Sequence, residues 1–137
     1  MVAGKRARVI DVHAHCAVPE AMALMGLKFG GPSFRPDLHM ATAVTQRLAT
    51  MDAQGIDMQA LSINPYWYKA EREVAEKVIQ IQNEKLAEAC AAHPERFVAF
   101  ASVALQHPDL AAKQLEDGSG NTGCAAPPSV RRATGWN

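Results

Sequence analysis

The sequence predicts an α/β fold built on a parallel sheet, and three observations carry that prediction. Short apolar runs suited to buried strands recur at residues 8–12, 57–63 and 97–102. Each is followed, sooner or later, by a stretch of helical periodicity, at 42–54, 71–92 and 108–117. The resulting β-α-β-α-β-α order calls for parallel strands joined by right-handed crossovers.

The elements follow one another with recognisable punctuation. Arg8-Val9-Ile10-Asp11-Val12 reads as a mostly apolar strand. Residues 14–40 hold Gly26, Gly30-Gly31-Pro32 and Pro36, turn chemistry too dense for more than a turn or two of helix at 20–27. In 42–54, Val44, Leu48 and Met51 fall at helical spacing and Gly55 stands as the stop. The second strand ends at Asn64-Pro65. Ala75, Val78, Ile79, Leu86, Ala89 and Cys90 form one stripe of the long helix, which His93-Pro94 closes. The third strand follows, and Pro108-Asp109 opens the last helix. From Gly118 to Asn137 periodicity disappears. The chain therefore divides into an extension (1–7), an ordered domain (8–117) and an unpatterned tail (118–137).

Composition narrows the function. Hydrophobic residues at 48% and charged residues at 20% suit a soluble domain with its own core, and 137 residues are enough to build one. Fourteen basic residues balance fourteen acidic ones, which leaves no electrostatic footprint for nucleic acid or an anionic membrane. No apolar run could cross a bilayer. The basic Lys5-Arg6-Ala7-Arg8 cluster precedes an apolar stretch too short for a signal-peptide core. Cys16, Cys90 and Cys124 are odd in number and lack CxxC spacing, against a disulfide framework. A cytoplasmic protein acting on a small molecule is the expectation.

The sharpest chemical feature is Asp11-Val12-His13-Ala14-His15 at the end of the first strand. Residues i and i+2 of a strand share a face, so His13 and His15 can point together. In βα folds ligands sit beyond the carboxyl ends of the strands, where this pair lies. Paired imidazoles suit zinc, manganese, iron or nickel. Two histidines a residue apart also occur on ordinary surfaces, and catalytic zinc usually takes three protein ligands. Asp11 could orient a histidine, although capping a nearby backbone amide is the plainer role. Cys16 reads as a small residue starting a loop rather than a soft ligand. Tyr66-Trp67-Tyr68 follows the second strand, where Tyr66 and Trp67 could wall a substrate pocket or simply pack. Arg35 and Arg47 could grip a carboxylate, with a solvated helix face the ordinary alternative for Arg47. His39, His93 and His107 read as structural.

Taken together, Ile10-Asp11-Val12-His13-Ala14-His15, Arg47-Leu48-Ala49-Thr50-Met51-Asp52, Gly55-Ile56-Asp57, Leu61-Ser62-Ile63-Asn64-Pro65, Asn83-Glu84 and His93-Pro94-Glu95-Arg96-Phe97 form an ordered series. That series resembles the amidohydrolase-related group that includes aminocarboxymuconate-semialdehyde decarboxylase and the hydroxybenzoate-type decarboxylases. It covers residues 8 to 117. The resemblance implies the first three βα units of a (β/α)8 TIM barrel, incomplete, with an irregular C-terminal tail. It also implies a divalent metal, zinc first with manganese or iron as alternatives, held by His13 and His15. The implied reaction is hydrolysis or non-oxidative decarboxylation of a small carboxylated, ring-derived compound. The family's remaining ligands and acid/base residues come from later strands, to which nothing here corresponds. A chain of this extent is therefore expected to be inactive alone, and either to form a homo-oligomer or to meet a complementing second half.

Two further expectations follow. The rival from another class is a small non-catalytic α/β domain whose His13/His15 pair is incidental or binds metal weakly. The tail is expected to be a frameshift product. One permitted codon choice for Gly118 to Val130, read from its third base, encodes Val-Arg-Gln-Tyr-Gly-Leu-Arg-Gly-Ala-Ala-Ile-Gly, similar to the family's entry into a fourth strand.

Overall fold

Strands β1 (Ile10–Cys16), β2 (Met58–Ile63) and β3 (Phe97–Ala99) lie side by side in that order, and both pairings are parallel. Helices α1 (Pro19–Leu24), α2 (Val44–Gln54), α3 (Arg72–Ala92) and α4 (Pro108–Gly120) occupy the connections and the end. The computed structural model describes residues 4, 6–28, 41 and 43–120. Arg35, His39 and residues 121–137, with Cys124 and most of the proposed frameshifted tail, lie outside the described residues.

The helices start and stop for local reasons. Pro19 and Pro108 take first-turn positions, where a missing N–H costs nothing. Gly55 ends α2 with φ at 70°, a left-handed conformation glycine adopts without a Cβ penalty, while Ile56 N–H returns to the Met51 carbonyl at 2.8 Å. Asp57 then fastens the amino ends of the first two strands. Its carboxylate accepts from Val9 N–H at 2.7 Å and from the Arg6 guanidinium at 2.7 Å, and the Arg6 bond holds it below the usual carboxylate range. Arg96 adds its own bonds to the Asp57 carbonyl and the Asp52 carboxylate.

One side of the sheet is buried by the helices. Ala14, Cys16, Leu61, Phe97 and Ala99 pack with Met51 of α2, with Val78, Ile79 and Leu86 of α3, and with Leu110 of α4. Burial of each large side chain contributes about 1.5–3 kcal/mol. The expected stripe of α3 is buried in full, but Gln82 and Asn83 are buried with it. On β1, Ile10 and Val12 remain 50% and 70% exposed. No helix among the described residues is long and apolar enough to cross a membrane.

Three elements differ most from expectation. β1 starts later and runs on to Cys16, since Ala14 and Cys16 carry its alternation into the core. β3 stops at Ala99 rather than reaching residue 102. The buried Asn83 side chain captures Ser102 instead, accepting from its N–H at 2.8 Å and donating to its carbonyl at 3.0 Å. α4 continues to Gly120 instead of ending at residue 117. Gly118 is buried there, and a Cβ on it would stand 3.1 Å from Ala101 Cβ, so glycine permits the close approach.

Candidate metal centre

The register of β1 against β2 slips once. Asp11 pairs with Gln59, but Ala14 pairs with Leu61, so β1 spends one extra residue between them. Such a bulge re-aims side chains and leaves an amide without its ladder partner. Here Asp11 supplies that partner, its Oδ1 accepting from His13 N–H at 3.0 Å. The plainer reading of Asp11, an amide cap, is the one the geometry shows.

Beyond the bulge the two imidazoles meet. The His13 and His15 rings lie edge to face with centroids 4.4 Å apart. His13 is exposed and His15 half-buried, so the pair opens towards solvent at the carboxyl end of β1. Ser62, paired with His15 across the sheet, places its Oγ 3.3 Å from His15 Nδ1. That contact occupies Nδ1 and leaves Nε2 as the free ligating position of this ring. A groove of about 320 Å³ adjoins the pair, bordered by Arg47, Thr50, Gln54 and Gln59. Among the described residues no group of three or more His, Cys, Asp or Glu side chains could hold a metal ion. The pair fits a metal as two ligands of a site that needs more.

The other sequence candidates fall elsewhere. Arg47 is not on a solvated face. It is 5% exposed, with its guanidinium donating to Gln59 Oε1 at 3.1 Å and to the His15 carbonyl at 3.2 Å. Burial pushes that guanidinium down from its usual range, against the favourable field of Asp11. These bonds place Arg47 beneath the histidines rather than in a fork for substrate. Its spacing of three from Val44 and four from Met51 had put it on the core side of α2.

Trp67 is buried at 3% exposure, and its indole N–H donates to the Val103 carbonyl at 3.0 Å. The expectation that it walls a pocket gives way to packing, because both its ring and its polar edge are taken. Tyr66 is half-buried at the carboxyl side of β2, and its hydroxyl accepts from Gln82 Nε2 at 2.7 Å. His93 closes α3 with its ring edge to face against Phe97, and His107 offers its carbonyl to α4 at Ala111 N–H. A second cleft, about 340 Å³, runs between α3 and α4 past Glu76, Glu84, Lys113 and Asp117, and it contains no histidine.

Cys16 is the last residue of β1 rather than the first of a loop, 5% exposed, with its thiol directed at the Ser62 carbonyl at 3.4 Å. Burial raises its pKa to about 12, so the thiolate that a metal requires is suppressed. Alkylation by iodoacetamide at pH 8 is expected to leave Cys16 unmodified in the native protein and to label it fully in urea. Peptide mapping reads the outcome, and rapid native labelling would contradict the buried placement.

Comparison with known proteins gives a consistent result. No family model matches the chain. The gamma-resorcylate decarboxylase of Rhizobium radiobacter is 34% identical over 110 residues, covering 78% of this chain and 34% of that protein. The crystal structure of 2,6-dihydroxybenzoate decarboxylase complexed with 2,6-dihydroxybenzoate superposes with a TM-score of 0.71 at 31% identity, over 87% of this chain and 38% of that one. The dihydroxybenzoic acid decarboxylase of Polaromonas sp. JS666, solved with bound manganese and the inhibitor 2-nitroresorcinol, gives a TM-score of 0.71 at 30% identity, over 87% and 37%. The chain thus spans about a third of the length of the curated relatives it matches.

Proposed function

Because the chain belongs to the amidohydrolase-related superfamily, we propose that it forms part of a metal-dependent, non-oxidative decarboxylase of hydroxybenzoate-type acids. The observation that carries this reading is the pair of converging imidazoles at the carboxyl end of β1. His13 and His15 hold a divalent metal as two of its ligands. Manganese now stands ahead of zinc, on the strength of the manganese bound in the Polaromonas relative. A bound divalent ion supplies a Lewis acid that polarises an oxygen of the substrate.

The chain's own contribution is positional. Ser62 fixes the His15 ring, Asp11 fixes the backbone of His13, and Tyr66 stands at the carboxyl end of β2 as the aromatic able to face a planar acid. Decarboxylation is favoured over hydrolysis by the similarity to decarboxylases. The rival reading, a non-catalytic α/β domain with a weak metal-binding pair, draws on the two-ligand count among the described residues.

The test compares two polypeptides for carbon dioxide release from 2,6-dihydroxybenzoate, with and without manganese. One is the 137-residue chain and the other is the product of the locus read on past codon 137, in the shifted frame where needed. Manganese-dependent release by the longer product, and none by the shorter, is expected. Release by the shorter chain overturns the need for further ligands. A locus with no barrel-like coding in any downstream frame favours the non-catalytic domain and leaves the tail as genuine sequence.

A further inference from the structure

The histidine pair rests on a closed chain of polar bonds that no catalytic role explains. Asp11 Oδ2 accepts from Gln59 Nε2 at 3.0 Å, and Gln59 Oε1 accepts from Arg47 at 3.1 Å. Arg47 in turn donates to the His15 carbonyl at 3.2 Å, while Asp11 Oδ1 holds His13 N–H at 3.0 Å. The circuit leaves β1 at Asp11, passes through β2 and α2, and re-enters β1 at His15. It therefore grips both ends of the segment that contains the bulge. Gln59 is 8% exposed and Arg47 5% exposed. Polar groups are placed at such depth only when their bonds are met, and breaking a buried network costs more than its bonds contribute.

A bulge is a local choice between registers, and a slip of one residue turns side chains to the other face of a sheet. Without the extra residue, β1 would carry its alternation unbroken from Asp11 onward. Asp11 would then share a face with His13 and His15 and would lose its place opposite Gln59 on the α2 side. We propose that Arg47 and Gln59 are positioning residues that clamp the β1 bulge through Asp11 and the His15 carbonyl, and so set the convergence of His13 and His15. The clamp acts on the metal through the histidines, so its functional meaning rests on the metal-binding reading above. Its structural claim does not. Both act from the helix side of the sheet, through Asp11 and the His15 carbonyl.

The experiment uses the full chain, metal-free, with the histidine ring protons assigned by NMR. In the wild type, rings with centroids 4.4 Å apart give a strong inter-ring Overhauser cross-peak. Gln59→Leu removes both links of Gln59 and is expected to abolish that cross-peak. Asp11→Ala, at a half-buried position better able to fold, is expected to do the same, and so is Asp11→Asn, which keeps an acceptor for His13 N–H but sets an amide donor against Gln59 Nε2. Manganese affinity, read by electron paramagnetic resonance, is expected to weaken about 10–100-fold in all three variants.

The outcomes separate the two claims. Unchanged cross-peaks in Asp11→Ala and in a folded Gln59→Leu overturn the clamp, whatever the metal does. Should Gln59→Leu fail to fold, Asp11→Asn decides: a retained cross-peak reduces Asp11 to a local cap of His13 N–H and overturns the clamp. A wild type that binds no manganese, with cross-peaks lost in the variants, leaves the clamp standing and removes the metal reading.

Discussion

Replacing both His13 and His15 by alanine is expected to reduce manganese retained after equilibrium gel filtration to the background of an unrelated protein. The two imidazoles are the converging pair of the candidate site, and no group of three potential ligands exists among the described residues. Each single variant leaves one ring, which binds a divalent ion no better than an ordinary surface histidine, so each is expected to lose nearly as much. The folded state should survive, since His13 is exposed and His15 half-buried, outside the main core. Circular dichroism and the melting temperature serve as controls. Equal metal content in wild type and double variant would contradict the assignment outright.

The second large effect concerns Trp67. Trp67→Ala is expected to destabilise the fold by about 3–5 kcal/mol, the range for deleting a large buried aromatic side chain. The ring is 3% exposed within the core cluster, and its N–H ties the segment after β2 to the Val103 carbonyl before α4. The Trp67 carbonyl also accepts from Gln106 Nε2 at 2.8 Å, so two loops are anchored at one residue. Against a total stability of about 5–15 kcal/mol for an ordinary domain, such a loss is severe. Urea denaturation of the metal-free chain measures it. A change below about 1 kcal/mol would contradict the buried, anchoring placement of Trp67.

Much of this architecture was legible in the residues. The order of strands and helices followed from the short apolar runs and the stripe of Ala75, Val78, Ile79 and Leu86, because burial on one face imposes those periods. That His13 and His15 share a face was legible from their spacing. The bulge between Asp11 and Ala14 was not, since it depends on partners in β2 and α2 that lie 48 and 36 positions away from Asp11 in the chain. Arg47 was misplaced for a related reason. Its type suggested solvent or a carboxylate ligand, while its spacing from Val44 and Met51 pointed inward, and the spacing proved the better guide. Gln59, polar on the same strand face as Leu61, carried the matching signal. The early end of β3 was hidden because a side chain of α3, Asn83, substitutes for a strand in binding Ser102. Local pattern reveals which face an element buries. It does not reveal which polar side chain from another element will complete it.

The most direct test of the metal assignment is paramagnetic line broadening. Substoichiometric manganese is added to the isotope-labelled chain while the histidine ring resonances and the backbone amides are followed. Because relaxation falls off with the sixth power of distance, the first signals lost report where the ion sits. The ring protons of His13 and His15 and the amides of residues 12–16 are expected to vanish together, ahead of all others. Broadening that begins instead along the acidic cleft between α3 and α4, or that spreads evenly over surface carboxylates, would place the ion elsewhere and contradict the account.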